Sequence, residues 1–325
     1  QGWTVTVPYG SDNGAFDGTY PLIGPRGDVL NDPVELALEV FNGSEYVEPN
    51  DCRWLALNSS GDEIDPTAIN SVTGVSMGFH LSKTYVADGP TDGQTTGERR
   101  FTSATAGRIM STLCTEAKTR GALTGIDVST FDSNTDSAGQ PWSLVKTLGF
   151  TVGVSMSSVV ESLIQQGMIE IRWNGRQMLL YDAETSSRDR TLETNPVVLS
   201  SGRDLTSAPV QRTMLDVATN ALVRGDEGLA IEITNSEATS PWGRWETTLD
   251  QSGVTDLDDL AEAGESLVKT TSIGREQHTH GLNFVGARFL PFIAYRPGDW
   301  LYSITNGSAS RERYRLRQIT LDFAD

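Results

Sequence analysis

The sequence is poor in the residues that disulfide and metal chemistry require. Its 325 residues include 2 cysteines and 3 histidines. Cys52 and Cys114 are too few for a disulfide framework, and neither belongs to a Cys-x-x-Cys pair that would indicate structural zinc. No stretch approaches the roughly 20 apolar residues of a membrane-spanning helix, so we expect no stable membrane insertion.

Positive charge is scarce as well. The chain has 25 Lys and Arg against 43 Asp and Glu, a formal net charge of −18 at neutral pH. A free-standing nucleic-acid-binding protein needs Lys and Arg to displace counterions from phosphates, and docking on an anionic membrane needs them too. The charge balance therefore argues against both functions.

Small polar residues and glycine are abundant, with 32 Gly in the chain. This composition is typical of many short strands joined by turns. The hydrophobic share of 37% is still enough for packed cores in a chain of this length. At roughly 150 residues per domain, the length suggests about two domains, with one or three still open.

The clearest helix signal runs from Ala106 to Ala117, where apolar residues recur every three or four positions. We expect Ser103 to cap its start and Gly121 to end it. Cys114 lies on the apolar face and is expected to be a buried core residue.

Two further helices are predicted. One follows the capping-box pattern Ser158-Val159-Val160-Glu161 and ends at Gly167. The other covers about 256–268, with Thr255 as its cap.

Hairpins are predicted on both sides of a polar, turn-rich stretch at 183–210. The stronger one joins Ile169–Trp173 to Gln177–Tyr181 through Asn174-Gly175, a pair that suits a type I′ turn. The other joins Asn220–Arg224 to Leu229–Ile233.

Near the end of the chain, Pro297-Gly298 predicts a type II turn. Apolar alternation then slips by one near Gln318, which predicts a bulge within one long strand. Ala87–Arg100 has no apolar pattern and is predicted to be an exposed loop.

The order of strands, a helix–helix–hairpin block, strands, a helix and strands predicts a β-rich α+β protein with two barrel-like units. We place the first β-barrel-like domain at 1–100 and an α+β insertion domain at 101–195. The second barrel-like domain, which carries one helix, is placed at 196–325.

Catalytic patterns are present but incomplete. Gly74-Val75-Ser76-Met77-Gly78 matches the Gly-x-Ser-x-Gly nucleophile elbow, which needs a helix immediately after it, whereas Phe79–Val86 resembles a strand. His278 and His280 could share one side of a strand, but zinc catalysis needs a third ligand, and His80 is the only other histidine.

Acidic patterns are equally inconclusive. Asp132–Asp136 begins like a calcium loop and then lacks its Gly and bidentate Glu, so Asx turns are expected instead. The acid pairs Asp258/Asp259 and Asp226/Glu227 are not informative in a chain with 43 acids. No Gly-x-Gly-x-x-Gly or phosphate-binding loop is present. We therefore predict no catalytic residue, no metal, no cofactor and no enzyme.

Aromatic residues with an interleaved charge are more informative, because tryptophan and arginine are enriched in protein interfaces. They can also fill a core or stack on a sugar, and these alternatives stay open. The candidate interface residues are Trp142, Trp242, Arg244, Trp245 and Trp300.

Several segments, in order, resemble the tail hub (minor tail, baseplate hub) proteins of long-tailed phages that infect Actinobacteria. They are Glu116–Leu123, Phe131 with Asp136–Trp142, Trp173–Gly175 with Leu179–Tyr181, Leu199–Leu205, Gly243–Glu246, Gly253–Asp256, Tyr295–Trp300 and Tyr314–Leu321. These segments span about 100 to 325. Residues 1–99 are assigned to the same family resemblance.

The resemblance implies two tail-tube-like β-barrels per subunit and a homotrimer at the tail tip of the virion, assembled in the host cytoplasm. The implied partners are the distal tail protein, the tape-measure protein and other tail-tip or fibre proteins, with DNA only in transit through the lumen. Some relatives carry a C-terminal lytic domain; because nothing after Leu321 in this sequence could form one, we do not expect a lytic activity. The alternatives are a carbohydrate- or receptor-binding tail module and, less favoured, a peptidoglycan hydrolase.

The charge fits this resemblance, because acidic walls keep DNA from adhering to a channel. We expect a share of the excess Asp and Glu to face such a lumen. The acidity could equally serve solubility alone.

Overall fold

The computed structural model describes residues 2–9, 14–21, 34–60, 69–87, 97–183, 188–226, 228–235, 243–251, 254, 256–271, 275–305 and 310–324. Within these ranges the chain forms 22 strands and four helices, a β-rich α+β fold as the sequence predicts. None of the sheets built from the described residues closes into a barrel. The domain boundaries after 100 and 195 stay a prediction.

The first part of the chain is built from strands. They are β1 (Gly2–Pro8), β2 (Ala15–Pro21), β3 (Val34–Ala37), β4 (Val40–Phe41), β5 (Tyr46–Val47), β6 (Arg53–Ser60) and β7 (Ile69–Ser76). Five of them join β22 (Gln318–Ala324) in an antiparallel sheet of order β22-β1-β2-β7-β6-β3. The strand nearest the end of the chain thus pairs with the strand nearest its beginning.

The middle part carries most of the helix. Its elements are α1 (Phe79–Ser82), β8 (Glu98–Thr105), α2 (Ala106–Thr119), β9 (Val145–Thr151), α3 (Met156–Gln165), β10 (Ile169–Asn174) and β11 (Gln177–Asp182). Strand β8 pairs with β9, and β10 pairs with β11.

The last part is made of small sheets and one helix. Its elements are β12 (Val198–Ser200), β13 (Leu205–Ser207), β14 (Val210–Thr213), β15 (Asn220–Arg224), β16 (Ala230–Thr234), β17 (Glu246–Asp250), α4 (Leu257–Thr271), β18 (Arg275–His278), β19 (Gly281–Leu282), β20 (Trp300–Ile304) and β21 (Glu312–Arg315). The sheets are β16-β15-β17, β12-β20-β21 and the two-stranded pairs β13–β19 and β14–β18.

Three apolar clusters form the core. The largest packs α2, α3 and the β10–β11 hairpin together with Ala221, Val223 and Leu260 from the last part of the chain. The second cluster lies within the six-stranded sheet, and the third lies around β20. Phe292 and Leu321 are partly buried, and each packs against both of these clusters. The clusters therefore bring distant segments of the sequence together.

The predicted helices are confirmed, and Gly121 and Gly167 follow the ends of two of them in the positive-φ conformation, but the predicted N-terminal caps are wrong. Helix α2 is capped by Thr105, whose side chain accepts a hydrogen bond from the Arg108 amide. Ser103, the predicted cap, has φ 46° and lies in a bulge of β8, so the strand continues to the first turn of the helix.

The N-terminal caps of the two later helices also differ from the predictions. Helix α3 starts earlier, at Ser155, which accepts from the Ser158 amide, so Ser158 lies inside the helix. Helix α4 has Asp256 as its capping side chain, which accepts from the Asp258 and Asp259 amides. Thr255 lies outside the described residues.

Both predicted hairpins are present, and the stronger one turns one residue later than expected. Asn174 pairs with Gln177, so the two loop residues are Gly175 and Arg176. Gly175 has φ 57°, but Arg176 is not in the positive-φ region, which rules out the predicted type I′ turn. A glycine with positive φ at the first loop position is instead typical of a type II′ turn. The type II turn at Pro297-Gly298 is confirmed by φ 95° at Gly298 and the Asp299 amide donating to the Arg296 carbonyl.

Three local predictions were wrong. The slip near Gln318 is not a bulge but a change of sheet, because β21 pairs with β20 whereas β22 pairs with β1. Residues 98–100 belong to β8 rather than to a loop, and 88–96 lie outside the described residues. The segment after Ser76 forms the short helix α1 instead of a strand.

Candidate interaction surfaces

The Gly-x-Ser-x-Gly segment does have a strand before it and a helical turn after it. Ser76 ends β7, and its amide donates to the Gly14 carbonyl. It borders a cavity of about 90 Å³ whose described lining includes Asp51, Arg53 and Glu161 but no histidine. The histidine that most often serves a serine nucleophile as general base is therefore missing from this cavity's described lining.

The histidine pair is part of a packed aromatic cluster. The rings of His278 and His280 stack with centroids 6.4 Å apart, and Tyr314 lies 4.5 Å from His278. The Nε2 atom of His280 is 2.8 Å from the Ser303 hydroxyl, and burial lowers the pKa of His280. Among the described residues, no three His, Cys, Asp or Glu side chains are grouped to hold a metal ion.

The calcium-like segment folds into Asx turns, as expected. Asp132 Oδ1 accepts from the Asn134 and Thr135 amides, and Asp136 Oδ1 accepts from the Ala138 and Gln140 amides. These backbone contacts lower the pKa of Asp132. The carboxylates are thus engaged by their own loop.

An open groove of about 640 Å³ lies beside Trp245, one of the residues singled out in the sequence. Its lining is Met214, Leu215, Val217, Arg244, Trp245 and Glu246. Leu215 is 94% exposed, and Trp245 is half-buried. The Trp245 carbonyl accepts hydrogen bonds from the Thr219 and Asn220 amides, which fix the backbone of the groove wall.

Ion pairs border this groove. The Arg244 guanidinium lies 2.7 Å from Glu232 and 2.5 Å from Glu246, and the hydrogen bond to Glu232 raises its pKa. Arg224 pairs with Asp250 on the same outer face of the β16-β15-β17 sheet. The inner face of that sheet packs against α4 through Ala221 and Val223, which leaves the outer face open.

The β14–β18 ribbon leads into the groove. Val210, Gln211, Arg212, Glu276 and Gln277 are all exposed, so both faces meet water along most of the ribbon, and His278 at its end packs against Tyr314. An isolated two-stranded ribbon is marginally stable in water. Its polar contacts are internal, with Arg212 and Glu276 2.6 Å apart.

The other aromatic candidates lie elsewhere. Trp142 is buried in the largest apolar cluster, and its indole donates to the Asp132 carbonyl. Trp300 is half-buried on β20, with the Arg313 guanidinium 4.2 Å above its ring. Trp242 lies outside the described residues.

A second polar feature was missed in the sequence. We call it the junction; its central residues are Tyr9, Asp51, Glu170, Arg172 and Arg315. Arg172 donates to Asp51 at 3.1 Å and to the Pro297 carbonyl at 2.5 Å, and Asp51 also accepts from the Trp173 amide. Arg315 donates to Glu170 at 2.6 Å, and Tyr9 bonds to both of these side chains.

The junction joins all three parts of the chain. Tyr9 follows β1, Glu170 and Arg172 lie on β10, and Arg315 ends β21. The guanidinium groups of Arg172 and Arg315 lie 5.0 and 4.2 Å from the Tyr9 ring. Burial raises the pKa of Asp51 although Arg172 opposes the shift. The only sequence signal for this cluster is an arginine between two apolar residues of a predicted strand.

The described residues contain no helix long and apolar enough to cross a membrane. No protein-family model matches the sequence, and no curated protein matches it.

Solved structures do match over nearly the whole chain. The 43 kDa tail protein of prophage MuSo2 from Shewanella oneidensis is 16% identical with a TM-score of 0.59, over 100% of this chain and 90% of that one. A tail protein from Neisseria meningitidis is 10% identical with a TM-score of 0.59, over 99% and 87%. The prophage tail protein gp18 from Listeria monocytogenes is 9% identical with a TM-score of 0.55, over 98% and 83%. This chain therefore shares the fold of phage tail proteins.

Proposed function

We propose that this chain is a structural hub protein of a phage tail tip, where three copies join the tail tube to the tip and frame the channel. The full-length similarity in fold to three tail proteins carries this proposal. The segments that resemble hubs of actinobacterial phages support the finer assignment. The proposed location is the virion, after assembly in the host cytoplasm.

The groove and the neighbouring ribbon are the proposed subunit interface. The groove is apolar, and the β14–β18 ribbon beside it is marginally stable by itself. Covering both with another protein would bury the apolar side chains and stabilise the ribbon. The occupant is a second copy of this chain. Although the whole chain carries a net charge of −18, the charges of Arg244 and Glu246 in the groove lining cancel, so two copies can meet there without excess charge of one sign. Contact through this patch places no uncompensated charge of one subunit directly against the other, although the net charges outside the contact still repel.

The remaining partners follow from the same assignment. The distal tail protein, the tape-measure protein and fibre proteins would contact other surfaces of the trimer, and DNA would pass without binding. We propose that part of the excess of 43 acids over 25 bases lines the channel. A basic lumen in an assembled ring would contradict this part of the proposal.

Native mass spectrometry and light scattering of the purified chain test the trimer. We expect a concentration-dependent species of three subunits. Leu215→Asp should shift it toward monomer at least about tenfold, because a buried carboxylate without a partner opposes association. Leu192→Asp is the matched control, since Leu192 is 82% exposed and does not line the groove.

Two results would contradict the proposal in different ways. A chain that stays monomeric at all concentrations argues against the hub. A trimer that Leu215→Asp and Leu192→Asp weaken equally keeps the hub and removes the groove from the interface.

A further inference from the structure

A small polar cavity of about 30 Å³ lies next to the junction, between the β10–β11 hairpin and the turn before β20. Its lining includes three arginines and two acids, Arg172, Arg188, Arg296, Glu170 and Asp299. A single water needs about 10–15 Å³ measured in this way, so the cavity has room for the two or three oxygen atoms through which a small oxyanion would contact the arginines.

Two of the three arginines have unused hydrogen-bond donors. The Nε of Arg296 is buried without a hydrogen-bond partner among the described residues, and the Asp299 Oδ1 atom is 3.9 Å away. The Arg188 side chain has no hydrogen bond or ion pair within the described part of the chain. A guanidinium offers five donors in a fixed fork, so Arg296 is incompletely satisfied, whereas the exposed Arg188 keeps its donors available to a ligand.

Two of the three acids near the cavity are already engaged by other donors. Asp51 accepts from Arg172 and from a backbone amide, and Glu170 accepts from Arg315 and Tyr9. The Oδ2 atom of Asp299 accepts from the Arg296 amide, whereas its Oδ1 atom lies 3.9 Å from the Arg296 Nε, beyond hydrogen-bond distance. Local acceptors therefore do not meet the donors of Arg188 and Arg296.

The electrostatic balance points the same way. Burial, and next the charge of Arg172, lower the pKa of Arg296, so its cation is poorly compensated where it lies. Such an excess of positive charge is unusual in a chain with a net charge of −18. An anion in the cavity would supply both the missing charge and the missing acceptors.

We propose that this cavity binds a small oxyanion between Arg188 and Arg296. The chemistry is that of a carboxylate or of a small tetrahedral anion, held by charge-assisted hydrogen bonds from the two guanidinium groups. The anion would link the segment before β12 to the turn before β20, so its binding stabilises the packing of the last part of the chain against the hairpin. This inference does not depend on the proposed function.

Thermal unfolding of the full chain tests the proposal, with sodium phosphate, sulfate or acetate compared with sodium chloride at equal ionic strength. We expect a saturable rise in Tm with at least one of the three oxyanions, because a ligand that binds only the folded state stabilises it. A response to phosphate and sulfate identifies a tetrahedral anion, and a response to acetate identifies a carboxylate.

Variants locate the effect. Arg188→Gln and Arg296→Gln should each weaken the apparent affinity at least about tenfold, which corresponds to about 1.4 kcal/mol, because each removes a charge-assisted hydrogen bond to the anion. Arg188 is exposed, so Arg188→Gln tests the site even if Arg296→Gln folds poorly. Arg224→Gln is the control, because it removes an equal charge on another face of the protein.

Two outcomes would overturn the proposal. One is a Tm that follows ionic strength alone with all three oxyanions. The other is a saturable rise that Arg188→Gln leaves at full affinity, which would place the anion elsewhere.

Discussion

Arg172 is the residue whose loss should cost the fold most. Its side chain is 5% exposed, donates to Asp51 and to the Pro297 carbonyl, and lies against the Tyr9 ring. Arg172→Met leaves a buried carboxylate without its cation, and breaking such a pair costs about 3–5 kcal/mol. Urea unfolding at neutral pH measures this loss. Arg224→Met, which breaks an exposed pair, should cost no more than about 1 kcal/mol.

The cost of Arg172→Met should also depend on pH. Burial already raises the pKa of Asp51, and removing the arginine raises it further. A carboxyl with a raised pKa binds its proton more tightly in the folded chain than in the unfolded chain. Lowering the pH through the folded value therefore favours folding.

The difference in stability between variant and wild type should accordingly shrink as the pH is lowered from about 7 toward about 5. A difference that stays constant over that range would show that lost packing, rather than the charge of Asp51, causes the destabilisation. The double variant Asp51→Asn/Arg172→Met should lose less than the sum of its single variants.

Residue-level prediction succeeded where a single residue and its neighbours decide the outcome. Cys114 is buried, as its helical spacing predicts. Arg172 could not be found in this way, because its partner Asp51 is 121 positions away and a strand pattern does not report which polar side chains are paired. The same holds for Arg296. That its Nε lacks a hydrogen-bond acceptor can be seen only once the fold brings the turn before β20 against the β10–β11 hairpin.

At the scale of elements, Gly107 decides how closely α2 packs. A Cβ atom there would lie 2.1 Å from the Asp132 carbonyl oxygen and 2.2 Å from the Trp142 Nε1 atom. Helix propensity favours alanine over glycine by about 1 kcal/mol, but this overlap involves backbone and a buried ring and should outweigh it.

We therefore expect Gly107→Ala to destabilise the protein by about 1–3 kcal/mol in urea unfolding. Thr115→Ala on the exposed side of the same helix should be neutral or stabilising, because it gains helix propensity and removes only an exposed side-chain hydrogen bond to the Ser111 carbonyl. A gain in stability from Gly107→Ala would mean that α2 can move away from Trp142 at little cost.

Elements were predictable when their signals are local. The helical spacing of α2 and the alternation of the β10–β11 hairpin identify both elements. The N-terminal caps were missed because each helix start offers two candidate residues. Thr105 follows Ser103, Ser155 precedes Ser158, and propensity does not choose between the members of a pair. The break between β21 and β22 was missed because alternation does not reveal which sheet a strand joins.

At the scale of the whole molecule, long-range pairing closes the chain. Strand β22 pairs with β1 over seven residues, from Gly2 with Ala324 to Pro8 with Gln318. Leu321 on β22 also contacts two apolar clusters. The sequence predicts the β-rich α+β class, whereas this topology depends on contacts more than 300 residues apart that no local pattern encodes.

Net charge should govern how copies of the molecule associate. Each chain carries −18, and the groove proposed as the interface has no net formal charge, so association brings together like charges that lie outside the contact. Raising NaCl from about 20 mM to about 300 mM shortens the Debye length from about 20 Å to about 6 Å and screens this repulsion.

Self-association should therefore strengthen as salt is added, and analytical ultracentrifugation across this range measures it. Sodium chloride is the appropriate salt, because phosphate or sulfate would also occupy the proposed oxyanion site. Leu215→Asp should lose affinity at every salt concentration, and its loss should be greatest at low salt, where its added charge is least screened. Association that weakens with added NaCl would instead mean that ion pairs between subunits, rather than the neutral apolar groove, hold the assembly together.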